Sequence, residues 1–222
     1  MGHAPTTNTP ELELLLPTYR EVKPTLDVGD VVLFGGQSSG CMRIKSWTGS
    51  RWSHAALIYR THGVKQPLLL ESTSTSLVPD LITGKIQTGV TLVELEAWLR
   101  NYATGEIAIR RLKVDRTPKI RQRLRVFFEK MHGRAYETSS WQMFQAVYDG
   151  PFGASSGEDL SSLFCSELLA ACYQRMGLLP FDPPSNEYVP ADFSSDARKP
   201  LPLLEGATLE PEILLREMPI AA

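Results

Sequence analysis

Three residues carry chemistry that their surroundings do not otherwise need. Cys165 lies in Phe164-Cys-Ser-Glu-Leu168, at the start of a run whose apolar spacing is helical. A helix N-terminus offers unpaired amides and a partial positive charge, which favour thiolate over thiol and can receive an oxyanion. His54 interrupts the apolar run Trp52-Ser-His-Ala-Ala-Leu-Ile-Tyr59, and Glu71 ends Leu68-Leu-Leu-Glu71, where an unpaired carboxylate would be costly to bury. Each has an ordinary reading alone: a buried Cys packs as a small apolar residue, and a core His or Glu needs only a hydrogen-bond partner. Together, thiol, imidazole and carboxylate form the set that nucleophilic catalysis uses. The imidazole removes the thiol proton and the carboxylate fixes the imidazole tautomer.

Two strands and a helix must bring these groups together. Residues 52–59 and 68–73 read as strands joined by a hairpin whose loop spans 60–67, with Gly63 available for a positive φ. A symmetric turn about residues 62 and 63 pairs position 54 with 71, 56 with 69 and 58 with 67. In that register His54 and Glu71 are cross-strand neighbours on one face, with Cβ atoms about 5 Å apart. Residues 163–176 read as the helix, from the spacing of Leu168, Leu169, Cys172 and Met176, with Gly177 and Pro180 as its stop.

The remaining elements supply the core. Val31 to Phe34 is a short buried strand ended by Gly35-Gly36, and 39–47 forms a short helix. Thr91-Leu-Val-Glu94 has the spacing of a capping box and predicts a helix start, followed by Leu95, Trp98, Leu99 and Tyr102 at helical intervals. Residues 106–114 alternate as a third long strand. Thr117-Pro118 predicts an N-cap and first turn, Ile120, Leu124, Phe127, Phe128 and Met131 form one stripe, and Gly133 closes that helix. A further helix is expected over 140–148, and a loop rich in Gly, Ser and Asp over 149–161. The organisation that follows is a flexible arm at 1–25, a catalytic domain at 26–195 and a proline-rich tail at 196–222, parts of which strap across the surface.

Bulk properties allow this and exclude other classes. At 222 residues, 42% hydrophobic and 22% charged, the chain has ordinary globular composition. Its 23 basic and 25 acidic residues are scattered and give a net charge of −2, which offers nothing to nucleic acid. No apolar run approaches the roughly 20 residues of a membrane span. The polar segment 1–10 lacks the pattern of a secretory signal, so a cytoplasmic location is expected. Cys41, Cys165 and Cys172 show no CxxC spacing. Cys165 and Cys172, about 10 Å apart along one helix, are too far apart for a disulfide, so free thiols and no metal are expected.

With these pieces in order, the chain resembles the permuted papain-like amidases, a circularly permuted branch of the NlpC-type cysteine peptidase superfamily. Gly29-Asp-Val-Val-Leu-Phe34 is similar to the opening strand of that family, Thr48-Gly-Ser-Arg-Trp-Ser-His54 to its histidine segment and Leu70-Glu71-Ser72 to its acidic position. Gly133-Arg-Ala-Tyr136 is similar to its Gly-x-x-Tyr segment and Phe164-Cys-Ser-Glu-Leu168 to its nucleophile motif. The order His, acid, Cys marks the permuted branch, and the likeness spans roughly residues 27–193. It implies an α+β permuted papain-like fold, in which a small, mostly antiparallel sheet packs against helices and the nucleophile sits at a helix N-terminus.

It further implies a cysteine-dependent hydrolase that cleaves an amide or ester bond through a thioacyl-enzyme. The substrate is a small-molecule, lipid or peptide acyl compound, and no cofactor is needed. Cys165 is the nucleophile, His54 the base and Glu71 its orienter. The amides of Cys165 and Ser166 would receive the oxyanion, and Tyr136 and Trp52 are candidates to bind substrate. Trp47, Trp141 and Phe164 could line an acyl pocket. His3, His62 and His132 are expected at the surface. An acyltransferase, an isopeptidase acting on ubiquitin-like tails, and a binding module without turnover are the alternatives; oligomeric state is open.

Overall fold

In the computed structural model, residues 16–73, 76–102, 105–132 and 161–216 are described, and Tyr136, Trp141 and the segments expected over 140–148 and 149–160 lie outside them. The fold is α+β. Six strands form one antiparallel sheet in the order β4-β3-β2-β1-β5-β8, from β1 (Val31–Gly35), β2 (His54–Tyr59), β3 (Leu68–Thr73), β4 (Gly89–Glu94), β5 (Glu106–Arg110) and β8 (Ile213–Leu214). A two-stranded ribbon joins β6 (Leu112–Lys113) to β7 (Thr208–Leu209). The described residues hold five helices: α1 (Tyr19–Val22), α2 (Ser39–Thr48), α3 (Leu95–Asn101), α4 (Pro118–Met131) and α5 (Ser161–Met176).

Both faces of the sheet are covered, and this is why its strands read as unbroken apolar runs rather than as an alternation. One face, from Val31, Leu33, Leu57 and Leu70, packs against Leu124 and Phe128 of α4 and Leu168, Leu169 and Cys172 of α5. The other, from Val32, Phe34, Ile58 and Leu69, packs against Tyr19 of α1 and Trp98 and Leu99 of α3. A fully buried Leu or Phe is worth about 1.5–3 kcal/mol, so these two layers hold the strand ends in place. No helix of the described residues is long and apolar enough to cross a membrane.

Several expectations change. β2 and β3 pair Leu57 with Leu70, Ile58 with Leu69 and Tyr59 with Leu68, a register two residues away from the one a turn about 62 and 63 would give. A slip of two preserves the face, so His54 and Glu71 still point the same way, as diagonal rather than direct neighbours. Thr91-Leu-Val-Glu94 is strand, because pairing of all six β4 residues with β3 outweighs the local capping signal; the helix begins only at Leu95.

The segment 1–25 is not wholly a flexible arm. Tyr19 is fully buried in the core, and Arg216 N–H donates to the Pro17 carbonyl at 2.9 Å. The tail likewise supplies β7 and β8, so Ile213 and Leu214 complete the sheet beside β5.

Candidate active site

Ser53 fixes the entry to β2. Its backbone N–H donates to the Phe34 carbonyl at 2.9 Å, its hydroxyl donates to the same oxygen at 3.3 Å, and Gly36 N–H donates to that hydroxyl at 3.1 Å. His54 therefore leaves a pinned strand end, its ring 5.5 Å from that of Phe34 and its side chain 15% exposed. Glu71 is 1% exposed and spends both oxygens: Oε2 lies 3.0 Å from His54 Nε2, and Oε1 accepts the Trp98 indole N–H at 2.8 Å. These two contacts offset the desolvation of the buried carboxylate and orient the imidazole.

The nucleophile enters where the sheet parts. β2 and β3 pair only from Leu57 and Leu70 onward, which leaves the N–H of Ala55 without a strand partner. That N–H donates to Cys165 Sγ at 3.4 Å, and the His54 imidazole also hydrogen-bonds to the Cys165 thiol. Cys165 is 1% exposed. Burial alone would lower the pKa of His54, but the charge and hydrogen bond of Cys165, followed by those of Glu71, outweigh it and push the imidazole from 6.5 up to about 10. Cys172, two turns further along α5, is also buried, and there burial alone pushes the thiol up.

The structure brings together Cys165, His54 and Glu71; Ser166 and Trp52 do not take the roles expected of them, and Tyr136 lies outside the described residues. Cys165 is the fifth residue of α5, which begins at Ser161, so the amides of Cys165 and Ser166 fall past the four that a helix leaves unpaired. They are unsuited to an oxyanion, contrary to expectation. The Ser166 hydroxyl is fully buried and donates to the Tyr188 carbonyl at 2.7 Å, a tie between α5 and the segment after it. Trp52 has no exposed surface: its ring sits in the core and its indole N–H donates to Glu212 at 3.0 Å, which rules out a substrate wall.

His132 is not a surface residue either, since its Nε2 meets both oxygens of buried Asp80 at 3.1 and 3.0 Å. Trp47 does remain on a surface. It lines a cleft of about 430 Å3 with Ser50, Arg51, Val189, Asp192 and Arg198. Cys165, His54 and Glu71 are not among the residues that line it.

Sequence reasoning missed Trp98 and the Ala55 amide. The first left a signal, since a buried indole N–H needs an acceptor and Glu71 was the unpaired candidate. The second left none, because it depends on where two strands part. Among the described residues no group of three or more His, Cys, Asp or Glu is placed to hold a metal ion.

No family model matches this chain, and no curated protein matches it. Among solved structures, it is similar to the metalloprotein yiiX from Escherichia coli O157:H7, at 21% identity and a TM-score of 0.44. The match covers 68% of this chain and 66% of that one, so the chain spans just under two thirds of that protein's length.

Proposed function

We propose that this chain is a cysteine-dependent hydrolase of the permuted papain-like amidase kind, cleaving an amide or ester bond through a thioacyl-enzyme. The observation that carries the reading is the single line of contacts from Trp98 through Glu71 and His54 to Cys165. With Nε2 committed to Glu71, the other ring nitrogen of His54 takes the thiol proton, and the Ala55 N–H supports the negative charge left on sulfur. Sulfur attacks the acyl carbonyl and a tetrahedral oxyanion forms. Imidazolium then gives its proton to the departing nitrogen or oxygen, which breaks the acyl bond and leaves a thioester on Cys165. Water, deprotonated by the neutral imidazole, releases the acid and restores the thiol. Glu71 stabilises the imidazolium at both proton transfers without itself taking a proton.

Burial of the thiol favours a second outcome at the last step, transfer of the acyl group to an amine or alcohol in place of water. The test is incubation with p-nitrophenyl esters of short and long acyl chains, with peptide mapping by mass spectrometry. A burst of nitrophenol with one acyl group on Cys165, lost in Cys165→Ala and slowed in His54→Ala, supports the reading. Acyl groups spread over Cys41 and lysines with no burst would end it. Adding an amine acceptor and weighing the product separates hydrolysis from transfer.

A further inference from the structure

We propose that the turn between β3 and β4 docks this protein onto a lipid surface bearing anionic headgroups. The turn runs Leu81-Ile-Thr-Gly-Lys-Ile86, and on it Leu81, Ile82 and Ile86 are 50%, 59% and 66% exposed. One exposed apolar residue is ordinary; three on a six-residue turn form a patch that water disfavours and that marks an interaction site.

The exposure is built in. The Asp80 carboxylate accepts the N–H groups of Ile82 at 3.0 Å, Thr83 at 2.8 Å and Leu92 at 2.8 Å, and contacts His132 as well. Asp80 N–H donates to the Lys85 carbonyl and Gly84 N–H to the Asp80 carbonyl, so the turn is closed from both sides. Gly84, at φ +67°, makes the reversal, and a Cβ there would meet nothing within 4 Å. These bonds fix the backbone of the turn while Leu81, Ile82 and Ile86 stay exposed to solvent.

Shape and charge choose the occupant. A small ligand needs a concavity, whereas an exposed apolar turn fits the headgroup and acyl boundary of a bilayer. Between Leu81 and Thr88 the only charged residue is Lys85, and the one acid at the base of the turn, Asp80, already meets His132. His132 directly follows α4, which carries Lys119, Arg121, Arg123, Arg125 and Lys130 and one acid, Glu129; Arg121 pairs with Asp27 and Arg125 lies 3.9 Å from Glu129, so the helix keeps a basic excess. The apolar tip is thus bolted to a basic helix, and an anionic leaflet attracts such a helix. This inference does not depend on turnover by Cys165, so the two stand or fall separately.

The experiment is co-sedimentation of the full chain with phosphatidylcholine vesicles, with and without phosphatidylglycerol. The wild type is expected to pellet with the anionic vesicles. The triple variant Leu81→Ser, Ile82→Ser, Ile86→Ser is expected to lose about 100-fold in partition, and Lys85→Glu to weaken binding to the anionic vesicles alone. Urea denaturation checks that the triple variant is folded. Should it not be, Ile86→Trp reads the tip directly, its added emission being quenched by brominated acyl chains. The proposal is overturned if the wild type stays in the supernatant with both vesicles, or if the triple variant pellets as the wild type does. It is also overturned if the tip joins two copies, seen as a dimer that the triple variant converts to monomer without any vesicle binding.

Discussion

At the scale of single residues the account rests on His54 being charged over an unusual range. Its pKa is raised, so the stability that the imidazolium contributes is complete below its ordinary 6.5 and is lost as pH rises through about 10. The proton that His54 must give to the leaving group is kept over the same window. The alkaline limb of kcat/KM for an acyl ester is therefore expected near pH 10 and not near neutrality. Glu71→Gln keeps the shape and the Trp98 contact but removes the charge. It should move that limb down by about one unit and reduce the rate by about 100-fold. A pH–rate profile with an alkaline limb near 7 in both proteins would show that Glu71 does not hold His54.

At the scale of elements, the two hairpin strands could be found from the sequence because both of their faces are buried and they read as plain apolar runs. Helix α4 was legible because it carries a complete set of local signals, from the Thr117 side chain that accepts the Ile120 N–H to the stripe that Leu124 and Phe128 bury. What local signals could not supply was the two-residue register between β2 and β3 and the strand character of Thr91 to Glu94, which pairs with β3. The same limit explains the placing of Cys165. A start at Leu163 predicts a free amide at Cys165, whereas Ser161 and Ser162 are already helical, and two residues decide whether an amide is free or spent within the helix.

The tail is an element too, and its contacts are specific. Arg110 donates to the carbonyls of Phe193, Leu209 and Glu210, while Glu212 accepts from Trp52, Ser194 and Ser195. A chain ended after residue 200 loses β7 and β8, bares the edge of β5 and leaves the buried Trp52 indole unpaired. It is expected to be less stable by at least about 3 kcal/mol and to aggregate, as urea midpoints and light scattering would report. An unchanged midpoint would mean that the tail is only draped over the domain.

For the molecule as a whole, one sheet covered on both faces does two jobs at one end. Trp98 belongs to the layer on one face, α5, which carries Cys165, packs on the other, and Glu71, His54 and Ala55 contact these two residues from the strand ends. The site is thus assembled from both layers across the sheet, and neither hairpin nor helix contains it alone. That is why the three polar residues could be picked out of the sequence while the groups that tune them could not. The claim that this assembly activates one thiol is tested most directly by alkylation with iodoacetamide at neutral pH, resolved for each cysteine by mass spectrometry, in the wild type and His54→Ala. Cys165 is expected to react at least about 10-fold faster than Cys172, its equally buried neighbour on α5, and His54→Ala to remove that difference. Equal rates at the two thiols, or a Cys165 indifferent to the loss of His54, would contradict the account.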